Sequence, residues 1–600
     1  MEFIAHNFVP LLFAGLLLFL LTGFPVAFCL AATGLTFGLI GMEAGLFQKT
    51  LFQALPLRVF GIMQNETLLA VPFFTFMGII LERSGMAEDL LETVGQVFGP
   101  LRGGLALATI FVGALLAATT GVMAAAVISM GLISLPIMLR YGYNRSIATG
   151  VITASGTLAQ AIPPSLVLIV MADQLGRSVG DMYAGAIVPG LLLVGLYALF
   201  IVVLAVVRPG WVPALPKEAL IYREANGASG HRSLFAIALI SAAAALGWAA
   251  LHESILNPLV GREGTAPMDE VLTVSMTAAA FVMLALALAN RWLRLGLLSQ
   301  LTERVVFVLL PPLVLIFLVL GTIFLGVATP TEGGAMGAVG ALTMAVGRRQ
   351  LSFSLFKQAL DNTAKLSCFV IFILIGATVF SFTFNAADGH FWVEGLFNKL
   401  PGGQLGFLIA VNLLVFVLGC FIDFFEIAFI VIPLLVGVAE KMGIDLVWFG
   451  VVIAMNLQTS FLTPPFGFAL FYLRSVAPRT DYNDRVLNMR IKAVTTVQIY
   501  KGSVLFIVLQ LIMLALVIAY PNLVTDRLDK APKVSIENIR LEAETGGYDT
   551  AVDVDPPEAQ TPQPAGEKAP QEAAAGAAQE EDPMEAVKRA LEQEAKSKKK

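Results

Sequence analysis

The sequence predicts an all-α polytopic membrane protein built from two inverted repeats, each with a re-entrant helical hairpin and a broken helix. Three observations carry that reading. Hydrophobic residues fill 57% of the 600 positions and charged residues 14%, against about 25% charged in soluble proteins; mean hydropathy is +0.81. A soluble fold cannot hide so much apolar surface. Uncharged stretches recur at 105–139, 146–172, 305–331 and 446–473. A crossing needs about 20 residues, so these longer stretches, with Gly, Pro and Thr near their middles, read as hairpins or broken helices. Finally, one motif occurs twice. Leu135-Pro136, Gly142, Ser155-Gly156-Thr157 and Ile162-Pro163-Pro164 are matched in order by Ile432-Pro433, Gly443, Asn456, Gln458-Thr459 and Thr463-Pro464-Pro465. Gly142 stands 21 positions before Pro163, as Gly443 does before Pro464.

The elements follow in chain order. Residues 1–207 form the first repeat: spans near 8–22, 25–41 and 66–81, a hairpin at about 105–138, a broken helix at 147–172 and a span at 184–207. The first basic residue is Lys49, so the N-terminal apolar run lacks the flank of a signal peptide and is expected to be retained. Residues 208–304 are an inserted linker with two extra spans, near 233–251 and 270–290, around an acidic outer loop holding Glu253, Glu263, Asp269 and Glu270. Residues 305–520 form the second repeat: spans near 305–325, 331–347 and 365–384, a hairpin at about 405–438, a broken helix at 447–472 and a last span at 503–520. Residues 521–600 are rich in Pro, Ala, Glu, Gln and Lys. They cannot bury a core and are expected to be a disordered, low-complexity tail.

Charges beside the spans set orientation. Arg140 and Arg145 follow the first hairpin with no acid nearby, whereas Lys441 after the second is offset by Glu440 and Asp445. The loop after the first broken helix carries Asp173, Arg177 and Asp181; the loop after the second carries Arg474, Arg479, Arg485, Arg490 and Lys492. The bias reverses between the halves, which predicts opposite orientations, with Arg140 and Arg145 cytoplasmic.

A helix broken in mid-membrane leaves carbonyls unpaired on one half and N–H groups on the other, at several kcal/mol per orphan in lipid. Such breaks are tolerated where they line a site: carbonyl ends suit cations and N-terminal ends suit anions. Pro163 and Pro464, each followed by a second proline (Pro164, Pro465), are expected to start the second half helices, where a missing N–H loses nothing. Ser155, Thr157, Asn456, Gln458, Thr459 and Thr463 add polar groups beside the breaks, and Gly156 permits close approach. Oxygen ligation without clustered carboxylates fits Na⁺ better than a divalent metal, and places Na⁺ near Ser155, Thr157, Asn456 and Thr463. The plainer reading is a pair of proline kinks, against which the duplicated arrangement argues. The hairpin tips, Thr119-Thr120-Gly121 and Gly419 to Asp423, are expected to face the breaks. Asp423 and Glu426 share a helix face; one role is transport, the other a helix cap. Thr329-Pro330-Thr331-Glu332 has the form of a capping box.

Other classes are disfavoured. Cys29, Cys368 and Cys420 make no CxxC pair or His/Cys cluster, which argues against zinc and disulfide frameworks. A net charge of −5 with no basic patch argues against nucleic acid. No GxxxxGK[ST] run occurs, which argues against direct ATP use. Ser155-Gly156 lacks a general base, because His6, His231, His252 and His390 fall at span ends or loops. A channel fits single-chain inverted repeats less well than alternating access does.

Ala328-Thr329-Pro330-Thr331-Glu332, Leu135-Pro136 before Arg140-Tyr141-Gly142-Tyr143, Ala154-Ser155-Gly156-Thr157 with Ile162-Pro163-Pro164-Ser165, and Asn456-Leu457 with Thr463-Pro464-Pro465-Phe466-Gly467 resemble the large membrane subunit of TRAP transporters, the DctM family. The resemblance covers about 8–207 and 305–520. The tips Ala118-Thr119-Thr120-Gly121 and Ile422-Asp423-Phe424-Phe425-Glu426 resemble the branch labelled mannitol/chloroaromatic compound transport, although many members carry Ser-Gly-Ser at the first tip and Asp-Pro at the second. The resemblance implies an ion-transporter-superfamily elevator fold and a Na⁺-driven importer of small organic anions, such as dicarboxylates or 2-oxo acids, in a bacterial inner membrane. It also implies a small DctQ-like membrane subunit, expected as a separate chain, and a periplasmic DctP-like substrate-binding protein. A stand-alone Na⁺/carboxylate symporter without a binding protein remains the alternative.

Overall fold

Helices run through nearly all of the described residues, and the one sheet among them is a ribbon pairing Tyr482–Asn483 with Arg490–Ile491. The computed structural model describes residues 2–528 apart from 122, 223–229, 261–264, 398, 485 and 527. The tail lies outside the described residues from 529 on; before that point it forms a short helix, Asn522–Thr525.

Among the described residues, eight helices are long and apolar enough to cross a membrane, so this is an all-helical multi-span membrane protein. Other apolar helices are too short to cross alone. Several of these, together with Met123–Arg140, Arg145–Thr157, Phe424–Lys441 and Phe468–Val476, form the hairpins and broken helices. The first hairpin is Gly104–Thr120 with Met123–Arg140, and the second is Gly403–Gly419 with Phe424–Lys441. The first broken helix runs Arg145–Thr157, then a 3-10 turn, then Leu166–Leu175; the second runs Leu446–Leu462, then Phe468–Val476. A long helix follows each: Val179–Val207 and Thr496–Ala519.

Local chemistry explains these boundaries. Gly142 (φ +81) and Gly443 (φ +70) take the left-handed turn that ends each hairpin, a conformation that costs glycine nothing. Asn144 then caps the first broken helix by accepting from the amides of Ser146 and Ile147, and Asp445 caps the second through Trp448 N–H. Each such cap is worth about 1 kcal/mol. Thr329 and Glu332 form the expected capping box.

Close helix approach organises the centre. The helix Thr496–Ala519 lies along Arg145–Thr157; a methyl on Gly150 would stand 2.5 Å from the Gly502 carbonyl oxygen. Small residues at such crossings are how membrane helices gain packing energy.

Two features of the insert differ from expectation. Glu270 is not in an outer loop. It lies in the first turn of Met268–Trp292, where its carboxylate meets His252 Nε2 at 2.9 Å with both side chains buried. His252 is accordingly inside the helix His231–Val260 rather than at a span end. These two helices pack with Gln300–Phe324 around Ile237, Ala280, Ala287, Val306 and Leu310; charge-capable groups buried as fully as His252 and Glu270 require a partner, which each supplies to the other. Glu263 lies outside the described residues.

Candidate functional site

The first break is wholly buried. Residues 161–165 separate its two halves, and Ser165, in extended conformation, precedes Leu166 as the N-cap. Ser165 Oγ donates to the Gln160 carbonyl at 3.1 Å, and Tyr183 OH donates to the Ser165 carbonyl at 3.4 Å. The second break is more open: Pro465 and Phe466 are exposed, and Tyr500 OH donates to the Pro465 carbonyl at 3.3 Å. Both Pro-Pro bonds, Pro163–Pro164 and Pro464–Pro465, are cis.

Neither Pro163 nor Pro464 starts a half helix, contrary to expectation. The second halves begin at Leu166 and Phe468. Each first proline precedes another proline, whose ring disfavours helical backbone at the residue before it. Helix can therefore resume only beyond the pair, and both prolines stay in the break.

Each hairpin tip meets a break. A Cβ on Gly121 would lie 3.1 Å from Leu166 Cγ, at the start of the half helix. The side chains of Thr119 and Thr120 lie outside the described residues. The rings of Phe421 and Phe466 stand 5.0 Å apart, joining the second tip to the second break. The hairpin arms press on the helices they serve: a Cβ on Gly113 would lie 2.5 Å from Ser155 Cβ, and one on Gly419 would lie 2.8 Å from Ser460 Cβ. Gly156 faces Val127 of the first hairpin just as closely.

The polar residues beside the breaks are deeply buried. Ser155, Thr157, Gln458 and Thr459 are 0% exposed and Asn456 is 1%. Their partners are incomplete. Thr157 Oγ1 donates to the Ala154 carbonyl at 2.9 Å, and Thr463 Oγ1 to that of Thr459 at 2.8 Å. Asn456 Nδ2 donates to the Asn412 carbonyl on the second hairpin at 2.6 Å. In contrast, Ser155 Oγ, Thr459 Oγ1, Gln160 Oε1 and Gln458 Nε2 have no hydrogen-bond partner. Native interiors leave few such groups unpaired, so a cluster of them beside two interrupted helices fits a place where a ligand supplies the missing partner. Three of the four are oxygens, the atoms a hard cation takes.

Asp423 is used differently. Its Oδ1 accepts from Phe424 N–H at 2.7 Å, and Glu426 returns an acceptor to Asp423 N–H at 3.1 Å, a capping box at the start of the second arm. This is the capping role, and it engages one oxygen of each carboxylate. Reasoning from the sequence missed Gln510 and Tyr197, which reach the same buried region from the two long helices.

Two ion pairs tie the halves together at their ends. Arg140, ending the first hairpin, pairs at 2.9 Å with Asp484 in the loop after the second broken helix. Arg177, in the loop after the first broken helix, pairs at 3.4 Å with Glu440, ending the second hairpin. Burial pushes the Asp484 carboxyl up, but the Leu487 amide, the Arg140 guanidinium and the Val486 amide together hold it below the usual carboxylate range.

Residues 13–523 match the family model described as "Tripartite ATP-independent periplasmic transporter, DctM component". The chain is 28% identical over 432 residues to the C4-dicarboxylate TRAP transporter large permease protein DctM of Pseudomonas aeruginosa, covering 72% of this chain and 82% of that one. It is 26% identical over 470 residues to the isethionate TRAP transporter permease protein DctMQ of Oleidesulfovibrio alaskensis, covering 78% and 60%. It is 25% identical over 463 residues to the sialic acid TRAP transporter large permease protein SiaM of Vibrio cholerae, covering 77% and 88%. Among solved structures, the Alcanivorax borkumensis YdaH transporter aligns over 80% of this chain and 90% of that one, at 14% identity and a TM-score of 0.45. These are transport permeases, not enzymes.

Proposed function

The chain belongs to the DctM component family of tripartite ATP-independent periplasmic transporters, and from that premise we propose that it is the permease subunit of a Na⁺-coupled importer of a small organic anion. The anion is a carboxylate such as a dicarboxylate or 2-oxo acid, delivered by a periplasmic binding protein and carried across a bacterial inner membrane by an elevator movement. The observation that carries this reading is the pair of breaks lined by buried, unpartnered polar atoms. Ser155, Thr157, Asn456 and Thr463 are the Na⁺ ligands in this proposal, and the half-helix starts at Leu166 and Phe468 offer N–H groups to the anion. The names of the three relatives, which refer to a C4-dicarboxylate, isethionate and sialic acid, support an anionic substrate. The joint name DctMQ supports a small membrane subunit working beside the large one. The first-tip sequence Ala118-Thr119-Thr120-Gly121 supports the branch labelled mannitol/chloroaromatic compound transport.

Two inverted repeats, 1–207 and 305–520, separated by the 208–304 insert, are part of the same proposal. The ion pairs Arg140–Asp484 and Arg177–Glu440 support it. Each brings the turn of one hairpin beside the loop that follows the other half's broken helix. Halves of opposite orientation place those ends on one side of a membrane; halves of the same orientation would place them on opposite sides.

The test is uptake of radiolabelled dicarboxylates and 2-oxo acids into proteoliposomes holding this chain and its small subunit, with and without a Na⁺ gradient and with binding protein added outside. Uptake that requires both Na⁺ and the binding protein is expected. Uptake by this chain alone would instead establish a stand-alone symporter. Labelling of single cysteines near Arg140 and Glu440 from the same side would overturn the inverted arrangement.

A further inference from the structure

Thr157 and Gln458 occupy matching places in the two halves, each six positions before the first proline of its break. Both are 0% exposed. One side chain touches both. Gln510, on the long helix Thr496–Ala519 and 2% exposed, sets its Nε2 at 3.4 Å from Thr157 Oγ1 and 3.4 Å from Gln458 Oε1. Its Oε1 has no partner, nor has Gln458 Nε2. The Tyr197 hydroxyl, on Val179–Val207, is equally buried and stands beside the Gln510 amide without closing a hydrogen bond to it, and its ring packs edge-on against Phe506 at 5.2 Å, one turn before Gln510.

Both contacts are long for hydrogen bonds, and three polar atoms around them are unused. A bridge built only to glue helices together would be expected to close these contacts, because an unpaired buried group is unfavourable. A loose bridge between two equivalent positions is instead one that a small shift of either broken helix can tighten. We infer that Gln510 is a positioning residue that couples the two broken helices, so that Na⁺ held by the residues beside one break draws those beside the other into binding geometry, with Tyr197 supporting the Gln510 amide. This rests on the Na⁺ reading proposed above. Gln510 itself lies on neither broken helix.

The experiment uses the full chain purified in detergent and, with its partners, in proteoliposomes. Melting temperature and initial uptake rate are measured against NaCl, with choline chloride holding ionic strength constant. The wild type should respond sigmoidally. Gln510→Leu, an apolar residue of similar size, should raise half-saturating Na⁺ on the order of 3- to 20-fold, the scale of a buried interhelical hydrogen bond. Its Hill coefficient should fall to about 1 while the rate at saturating Na⁺ is retained. Tyr197→Phe, which removes one hydroxyl, should move both quantities the same way by less, and carries the test if the leucine variant does not fold. A sigmoidal wild type with unchanged curves in the variants overturns the coupling role alone, as does a wild-type Hill coefficient of 1. A wild type indifferent to Na⁺ overturns the proposed function, and this inference with it.

Discussion

Replacing Ser155 by Ala separates a ligand from a buried defect. The hydroxyl is fully buried, has no hydrogen-bond partner and sits beside the first break, with its Cβ against Gly113 of the hairpin. Leaving a buried hydroxyl unpaired costs about 1–3 kcal/mol, so in the absence of ligand Ser155→Ala should stabilise the protein by about 1 kcal/mol. If the same oxygen binds Na⁺, its loss should weaken affinity by about 5- to 150-fold. The two effects oppose each other, and ligand linkage says where they cross. At a Na⁺ concentration 100 times its dissociation constant the wild type gains about 2.7 kcal/mol. A variant with an affinity about 30-fold weaker gains about 0.9 kcal/mol at that concentration. The difference of about 1.8 kcal/mol exceeds the initial advantage of about 1 kcal/mol. Ser155→Ala should therefore melt above the wild type without Na⁺ and below it at saturating Na⁺. The assay is melting temperature in detergent across a NaCl series against choline chloride. A variant that melts higher at every concentration, with the wild-type dependence on Na⁺, would show Ser155 to be a plain unpaired hydroxyl and refute its ligand role.

Gly150→Ala should destabilise by about 1–3 kcal/mol or more, since its methyl meets the Gly502 backbone, which cannot rotate aside as a side chain would; wild-type thermal stability would refute the close crossing. Asp484→Asn should remove a pH-dependent stabilisation. The carboxyl is held below its ordinary range in the folded protein, so the stabilisation is complete above about pH 4 and is lost as pH falls through the lower folded value. Melting temperatures at intervals from neutral pH down to pH 3 should fall more steeply for the wild type than for the variant. Asp423→Asn keeps the oxygen that accepts from Phe424 N–H and should leave the Na⁺ dependence of uptake unchanged; a shifted Na⁺ curve would make the charge part of the transport site.

What the sequence reveals depends on which residues leave a periodic or local mark. The breaks are legible because prolines, glycines and uncharged lengths act on the backbone where they stand. The capping box at Asp423 is local too, since the pair at 423 and 426 carries its own signature. The resumption of helix after, not at, Pro163 follows from the second proline, a detail that counting spans does not weigh. Burial patterns help little in the middle of the protein. Every residue of Leu446–Leu462 is buried, so no apolar stripe tells one face from another. A polar residue there, or on the helices beside it, shows its partner only once distant segments are packed. Gln510 and Thr157 are 353 positions apart and meet at 3.4 Å. His252 and Glu270 illustrate the same point from the insert. Their separation of 18 positions spans two different helices and has no helical register, so the sequence reads each as a span-end or loop residue.

The cross-half ion pairs bear on the proposed inversion independently of the charge counts. Counting bases and acids predicts opposite orientations from a bias along the chain. The pairs Arg140–Asp484 and Arg177–Glu440 test the same orientation from spatial adjacency. The second pair is largely exposed and contributes little stability; its weight is as a distance constraint. In the inverted arrangement proposed, the short helices at the breaks lie between these two contacts and end unpaired within the membrane. In lipid those ends are tolerated only where protein, water or ligand meets them. The requirement falls on the same few buried polar atoms, at Ser155, Thr459, Gln160 and Gln458, that lack partners.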